Sequence, residues 1–246
     1  MARPFFYMHV MKTGGTTFLD HIRENFAPEQ IYPEPRQPDA RWVSTYMMLD
    51  CLRELPPERR QAFRIYTGHF PLMARELITP TPITLTLLRD PVDRTISVLK
   101  QCRRDWERHR DQPLEAIYED PWTYPILIRN HQAKLFAMTR ADEPESLWDV
   151  VEVDPHRLAI AKENLDRVDV LGLTERFDEF LGTLRERFGW RFGHVPNRLV
   201  STEAWTVTKA FRDHIAEDNA AEMEFYEYAR EVYERRLRES RPVVSG

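Results

Sequence analysis

Apolar residues fall into short runs separated by stretches with helical spacing. Residues 5–11, FFYMHVM, form an aromatic and aliphatic run of the length of a buried strand. A small-residue turn follows, Lys12-Thr13-Gly14-Gly15-Thr16-Thr17. From Phe18 the spacing is helical, with Phe18, Ile22 and Phe26 on one face. Residues 27–41 hold Pro28, Pro33, Pro35 and Pro38, which bar a regular helix or a central strand. Residues 42–55 read as a helix stopped by Pro56-Pro57. Residues 63–70 read as a short strand ending in Thr67-Gly68-His69. Residues 83–88, ITLTLL, are a β-branched run suited to a central parallel strand.

Beyond Arg89, Asp90 is a good N-cap and Pro91 a good first helical residue, so a helix is expected from there through Leu99. Residues 103–111 are densely charged and read as a solvated face. Helices are expected over 126–135, 155–166 and 177–188, the last ending near Gly189, with a strand over 168–173 between them. Residues 194–202 read as a loop, and 203–239 as a mostly helical tail. Strands alternating with helices predict an α/β fold, a parallel sheet flanked by helices and joined by right-handed crossovers. No repeat or linker divides the chain, so residues 1–246 are expected to form one domain.

Composition narrows the class. The 246 residues are 42% hydrophobic and 30% charged, as in a folded globular protein. The net charge of −5 argues against a general nucleic-acid partner. Two cysteines, Cys51 and Cys102, without a C-x-x-C, suggest neither a disulfide framework nor a zinc site. No run approaches the ~18 apolar residues of a membrane span. Lysine is scarce, at positions 12, 100, 134, 162 and 209, so a lysine inside the glycine turn stands out.

A strand, a glycine turn and a helix start can cradle an anion. Glycines let backbone N–H groups approach a phosphate, and the helix N-terminus adds partial positive charge. Lys12 supplies a full charge, and Thr13, Thr16 and Thr17 supply hydroxyl donors. A Walker A loop requires lysine after its last glycine; here Lys12 precedes the pair. Arg89 at a strand end and Ser97 in the next helix can both face the crevice beyond the strand C-termini, where an arginine fork and a hydroxyl suit a phosphate monoester. His69 ends another strand and falls on the same edge. Taken singly, these residues also fit an ordinary βα turn with a surface lysine, a paired arginine and a structural histidine.

The order K-T-G-G-T-T after a strand resembles the 5′-phosphosulfate loop of the sulfotransferases that use 3′-phosphoadenosine 5′-phosphosulfate (PAPS). The string LLRDPVDRTISVL resembles their 3′-phosphate-binding segment. The Gly68-His69 strand end resembles that of the carbohydrate sulfotransferases, closest to the heparan sulfate 2-O type. Looser similarity lies in Asn130-His131-Gln132, in residues 170–177 and in residues 224–229.

The resemblance implies a P-loop NTPase-like sulfotransferase fold and PAPS as co-substrate without a metal. Lys12, Thr13, Gly14, Gly15, Thr16, Thr17, Arg89 and Ser97 would bind the donor. Lys12 and His69 would be catalytic, His69 as base toward the hydroxyl of a small-molecule or glycan acceptor. With free histidine near ~6.5, activity would rise with pH through that region. His9 reads as a core residue and His131 as a helical one, and both compete for the base. Golgi-type sulfotransferases carry a membrane anchor that this sequence lacks, so the expected location is cytoplasmic. The Arg-Lys-Gly segment of cytosolic sulfotransferases is also missing; Asn197-Arg198 is the candidate substitute. Two other functions fit the same residues: a nucleotide-dependent kinase on this fold, and a non-catalytic binder of a sulfated or phosphorylated ligand.

Overall fold

The computed structural model describes residues 3–34, 40–193 and 207–240. Five parallel strands form one sheet: β1 (Phe5–Met8), β2 (Ile31–Tyr32), β3 (Ile65–Gly68), β4 (Ile83–Leu88) and β5 (Val170–Leu173), in the order β2-β3-β1-β4-β5. The first half of the chain contributes α1 (Gly15–Asn25), α2 (Ala40–Met47), α3 (Leu49–Arg53), α4 (Pro57–Ala62) and α5 (Pro91–Asp105). The second half contributes α6 (Leu114–Tyr118), α7 (His131–Ala137), α8 (Pro155–Asp166), α9 (Phe177–Phe188), α10 (Lys209–Asp218) and α11 (Ala220–Ser240). Among the described residues no helix is long and apolar enough to cross a membrane.

The two-residue period of β1 sorts its side chains between two cores. Phe6 and Met8 point to one face, where they join Tyr66, Leu88 and Leu171 beneath Phe136, Leu158 and Phe225. Tyr7 points to the other, with Leu85, Leu87 and Val170 beneath Phe18, Ile22, Phe180 and Leu184. Helices α7, α8 and α11 therefore cover one face, and α1 and α9 the other. A third cluster joins α5, α6 and α10 through Ile96, Leu99, Ile117 and Phe211.

Because every strand is parallel, all five C-terminal ends lie on one edge. β1 sits at the centre, paired with β3 from Phe5↔Ile65 to Met8↔Gly68 and with β4 from Phe5↔Ile83 to Met8↔Thr86. The segments after β1, β3, β4 and β5 thus emerge side by side, carrying Lys12, His69, Arg89 and Thr174.

The sequence pattern differs from the structure in several places. Helix α1 begins at Gly15, three residues before the first apolar position, so Thr16 and Thr17 lie in its first turn. The proline-rich stretch holds the short strand β2, which pairs with β3 at the sheet edge. The helix expected over 42–55 is broken at Met48, where the backbone is extended, and Pro57 starts α4 rather than only ending its predecessor. The helix expected over 126–135 is a π turn (Tyr124–Ile128) and then α7, divided where Asn130 takes a left-handed conformation, φ 48°. The tail is two helices meeting at Asn219. Asp90 caps α5 as its sequence implies, accepting the Asp93 N–H at 2.9 Å, and Gly189 ends α9 at φ 71°.

Candidate functional site

The turn after β1 is built by two glycines with separate reasons to be glycine. Gly14 caps α1 with φ 87°, a left-handed conformation that a side chain disfavours. Gly15 lies against the His9 imidazole: a Cβ there would come within 1.9 Å of His9 Nε2. The His9 ring is itself held, its Nδ1 2.5 Å from the Tyr46 hydroxyl and its exposure only 7%. A backbone passing this close to a fixed ring leaves no room for a side chain.

The first turn of α1 carries no acidic residue and no side-chain cap. Its leading N–H groups have no intrahelical partner and point along the helix dipole toward the edge of the sheet. Thr16 is exposed and Thr17 partly so. Thr13 is turned inward instead: it is fully buried and donates its hydroxyl proton to the Val10 carbonyl at 2.9 Å. In this structure the Thr13 hydroxyl holds the turn together. From β5, the Thr174 hydroxyl lies 2.9 Å from the Thr13 carbonyl and 3.0 Å from that of Leu88, fastening the loop to the end of β4.

Lys12 adopts φ 66°. Burial lowers the pKa of its ammonium, and the charges of Arg104 and Arg89 lower it further, with Asp105 opposing them. Arg89 reaches across from β4 and donates from Nη1 to the Lys12 carbonyl at 3.3 Å. The guanidinium proposed for one phosphate is therefore tied to the loop proposed for the other. Ser97 lies on α5 and is partly exposed, as are Asp93 and Lys100, with Arg104 exposed beyond them. No hydrogen bond joins Ser97 to Arg89.

His69 follows β3 and is partly exposed. Its backbone N–H donates to the Tyr46 carbonyl at 2.9 Å. Its Nδ1–H donates to the His9 carbonyl at 2.6 Å, which leaves Nε2 with the lone pair in the neutral ring. Burial pushes its pKa down to about 4 against the upward pull of that hydrogen bond. The His9 and His69 rings lie 4.3 Å apart between centroids. His9 thus bridges the glycine turn and His69, and burial holds it neutral, its pKa well below the ordinary value.

Both competing histidines are buried. His9 is buried, as the sequence implies for a core residue. His131 is fully buried in α7, its Nδ1 3.1 Å from the Ile126 carbonyl. Asn197-Arg198 lies outside the described residues. A surface hollow is lined by Thr79 and Thr81, which precede β4, by Arg167, which precedes β5, and by Arg140 after α7; Thr79, Thr81 and Arg167 belong to the end of the sheet opposite Lys12.

Two contributors escape a reading by motif. Tyr46 organises both histidines from a helix with no local signature. Gln132 holds the Arg89 backbone by a pair of hydrogen bonds, described below. Asn130-His131-Gln132 marks the segment, but nothing local says which of its members faces the site.

The molecule is thus an α/β protein whose chemistry-bearing residues gather on the C-terminal edge of a parallel sheet, around a glycine turn and a helix N-terminus. No family model matches the sequence. Heparan-sulfate 6-O-sulfotransferase 3-B of Danio rerio is 24% identical over 283 residues, covering 92% of this chain and 63% of the relative. The chain therefore spans less than two thirds of that relative's length. A crystal structure of a sulfotransferase from Alicyclobacillus acidocaldarius is similar with a TM-score of 0.42 and 15% identity, over 92% of this chain and 95% of the other. The similarity to the heparan-sulfate sulfotransferase extends over most of this chain. The zebrafish relative's name carries the 6-O position, where the Gly68-His69 strand end resembles the 2-O type.

Proposed function

We propose that this protein is a sulfotransferase that moves a sulfuryl group from PAPS to an acceptor hydroxyl, with a carbohydrate as the acceptor class. The observation that carries the reading is the meeting of three features on one sheet edge: the glycine turn with Lys12, the Arg89 guanidinium, and a neutral His69 whose Nε2 is the basic nitrogen. The similarity to a heparan-sulfate sulfotransferase supports the same reading and suggests the acceptor class. The position of transfer, 2-O or 6-O, belongs to the acceptor and not to these residues. Residues 1–246 are read as one catalytic unit. A cytoplasmic site of action completes the proposal and fits two cysteines, Cys51 and Cys102, that form no disulfide.

In-line transfer moves negative charge from the attacking oxygen to the leaving phosphate. Lys12 and the free N–H groups at Gly15, Thr16 and Thr17 would stabilise that leaving charge. Arg89 and Ser97 would hold the 3′-phosphate. His69 Nε2 would take the acceptor proton while the His9 carbonyl keeps the ring oriented, a base contribution typically of ~10²–10⁴ in rate.

The test is a pair of measurements. Calorimetry should show adenosine 3′,5′-bisphosphate binding at least about tenfold tighter than AMP, since each charge-assisted hydrogen bond contributes ~1.5–3 kcal/mol. Arg89→Ala should erase that preference. Labelled PAPS with a panel of glycans should then give a sulfated product, with ATP as the control donor. Equal affinity for the two nucleotides would remove the donor assignment. Binding without product would leave a nucleotide-binding protein and no transferase.

A further inference from the structure

Arg89 is held by side chains far from it in sequence. Its backbone N–H donates to Gln132 Oε1 at 3.0 Å, and Gln132 Nε2 donates back to the Arg89 carbonyl at 2.8 Å. One amide therefore satisfies both backbone groups of a residue just past the end of β4, as a neighbouring strand would. Gln132 is fully buried and is fixed in turn by Glu222 of α11. Its Nε2 also donates to Glu222 Oε1 at 3.1 Å, and its backbone N–H donates to Glu222 Oε2 at 3.0 Å. The carboxylate accepts from Arg94 Nε at 3.3 Å, inside α5, where Arg94 is also fully buried. Arg94 Nη2 donates to the carbonyls of Leu127 and Ile128, 3.1 and 3.2 Å away. Asn130 closes the far side, its Oδ1 accepting from the Glu222 N–H at 3.0 Å.

The geometry points to Gln132 and Glu222 as positioning residues for Arg89: they set the direction of its guanidinium, and with it the selectivity for a nucleotide 3′-phosphate. This rests on the reading that Arg89 meets that phosphate. A buried network whose members are all held on rigid helices fixes its end group tightly. The Gln132 amide grips the main chain on both sides of the Arg89 Cα. A small backbone rotation there would swing the guanidinium, several bonds away, off the Lys12 carbonyl. Neither Gln132 nor Glu222 is exposed enough to touch a nucleotide.

The experiment is a double-mutant cycle read by calorimetry, with adenosine 3′,5′-bisphosphate and AMP as probes. Variants are Arg89→Ala, Gln132→Leu and the pair, with thermal melting of each. The expected result is that Gln132→Leu lowers the bisphosphate preference by about five- to tenfold, the size of coupling found within one hydrogen-bonded network. AMP affinity should change little, and adding Gln132→Leu to Arg89→Ala should lower the preference no further. Glu222→Gln, which keeps the shape and an acceptor, should lie between wild type and Gln132→Leu. If Gln132→Leu melts too low to assay, Gln132→Asn is read the same way, because its amide is too short to span both Arg89 groups. A Gln132 variant that melts lower but keeps the wild-type preference would show a merely structural role and overturn the proposal. Loss of preference in the Gln132 variant that adds fully to that of Arg89→Ala would overturn it too. Absence of any preference in the wild type is a different failure: the donor reading falls, and the positioning role falls with it.

Discussion

His69 donates its Nδ1 proton to the backbone carbonyl of His9, 2.6 Å away. That one bond orients the ring, chooses the tautomer and leaves Nε2 as the basic atom. It also joins the end of β3 to the end of β1, so the proposed base is fixed relative to the strand that leads into Lys12.

His69→Ala should bind adenosine 3′,5′-bisphosphate normally and lose ~10² or more in turnover at saturating donor. Its pH dependence separates the structure from the sequence expectation. Burial holds the His69 pKa down to about 4, so the base is neutral across the physiological range. For the free enzyme, kcat/KM should rise with pH around 4 and be flat through 6.5, with an acceptor that does not titrate there. A rise centred near 6.5 would mean that the group controlling activity is not the His69 ring.

Lys12→Ala should lower turnover more than it weakens binding of the product nucleotide. Charge accumulates on the leaving phosphate in the transition state, so a cation beside it acts most strongly there. Steady-state kinetics beside calorimetry decide the matter. Weak binding with wild-type turnover at saturation would make Lys12 a docking group alone.

Gly15→Ala should destabilise the protein by ~1–3 kcal/mol in urea unfolding, as overpacking commonly does. The cause is specific: the new Cβ would meet His9 Nε2 at 1.9 Å. His9→Ala in the same molecule should recover part of the loss, giving a coupling of ~0.5–3 kcal/mol between the two sites. Strict additivity would mean that the Gly15–His9 contact does not set the turn.

His131 should make the fold acid-sensitive. Burial keeps its pKa well below the ordinary value, with the Arg94 and Lys134 charges adding to the effect, and its Nε2 is buried without a hydrogen bond. The unfolded chain titrates near ~6.5. Between the depressed folded value and 6.5 the unfolded chain binds a proton that the folded protein does not. Stability is therefore full above about pH 6.5 and falls as pH drops, by up to ~1.4 kcal/mol per pH unit for each such group. His9 and His69 act in the same direction. His131→Leu should make the slope of unfolding free energy against pH shallower below pH 6.5. An unchanged slope would place the acid response elsewhere.

Sequence by itself determined four of the five strands and their common edge; β2 in the proline-rich stretch is the exception. ITLTLL and VLGL can satisfy their apolar, β-branched character only inside a parallel sheet, and the turn residues after each strand then share one end. The Asp90 cap and the Gly189 stop were equally local, because each rests on one residue's own backbone and hydrogen-bonding chemistry. Tertiary structure alone decided how the edge is assembled. The start of α1 at Gly15 depends on a ring lodged beneath it. The orientation of His69 depends on a carbonyl 60 residues away, and that of Arg89 on an amide 43 residues away. Residues such as Tyr46, Gln132 and Glu222 carry no signature because their partners are distant in the chain. The low dielectric of a closed interior makes their hydrogen bonds obligatory, and that interior exists only after the helices have packed on both faces of the sheet.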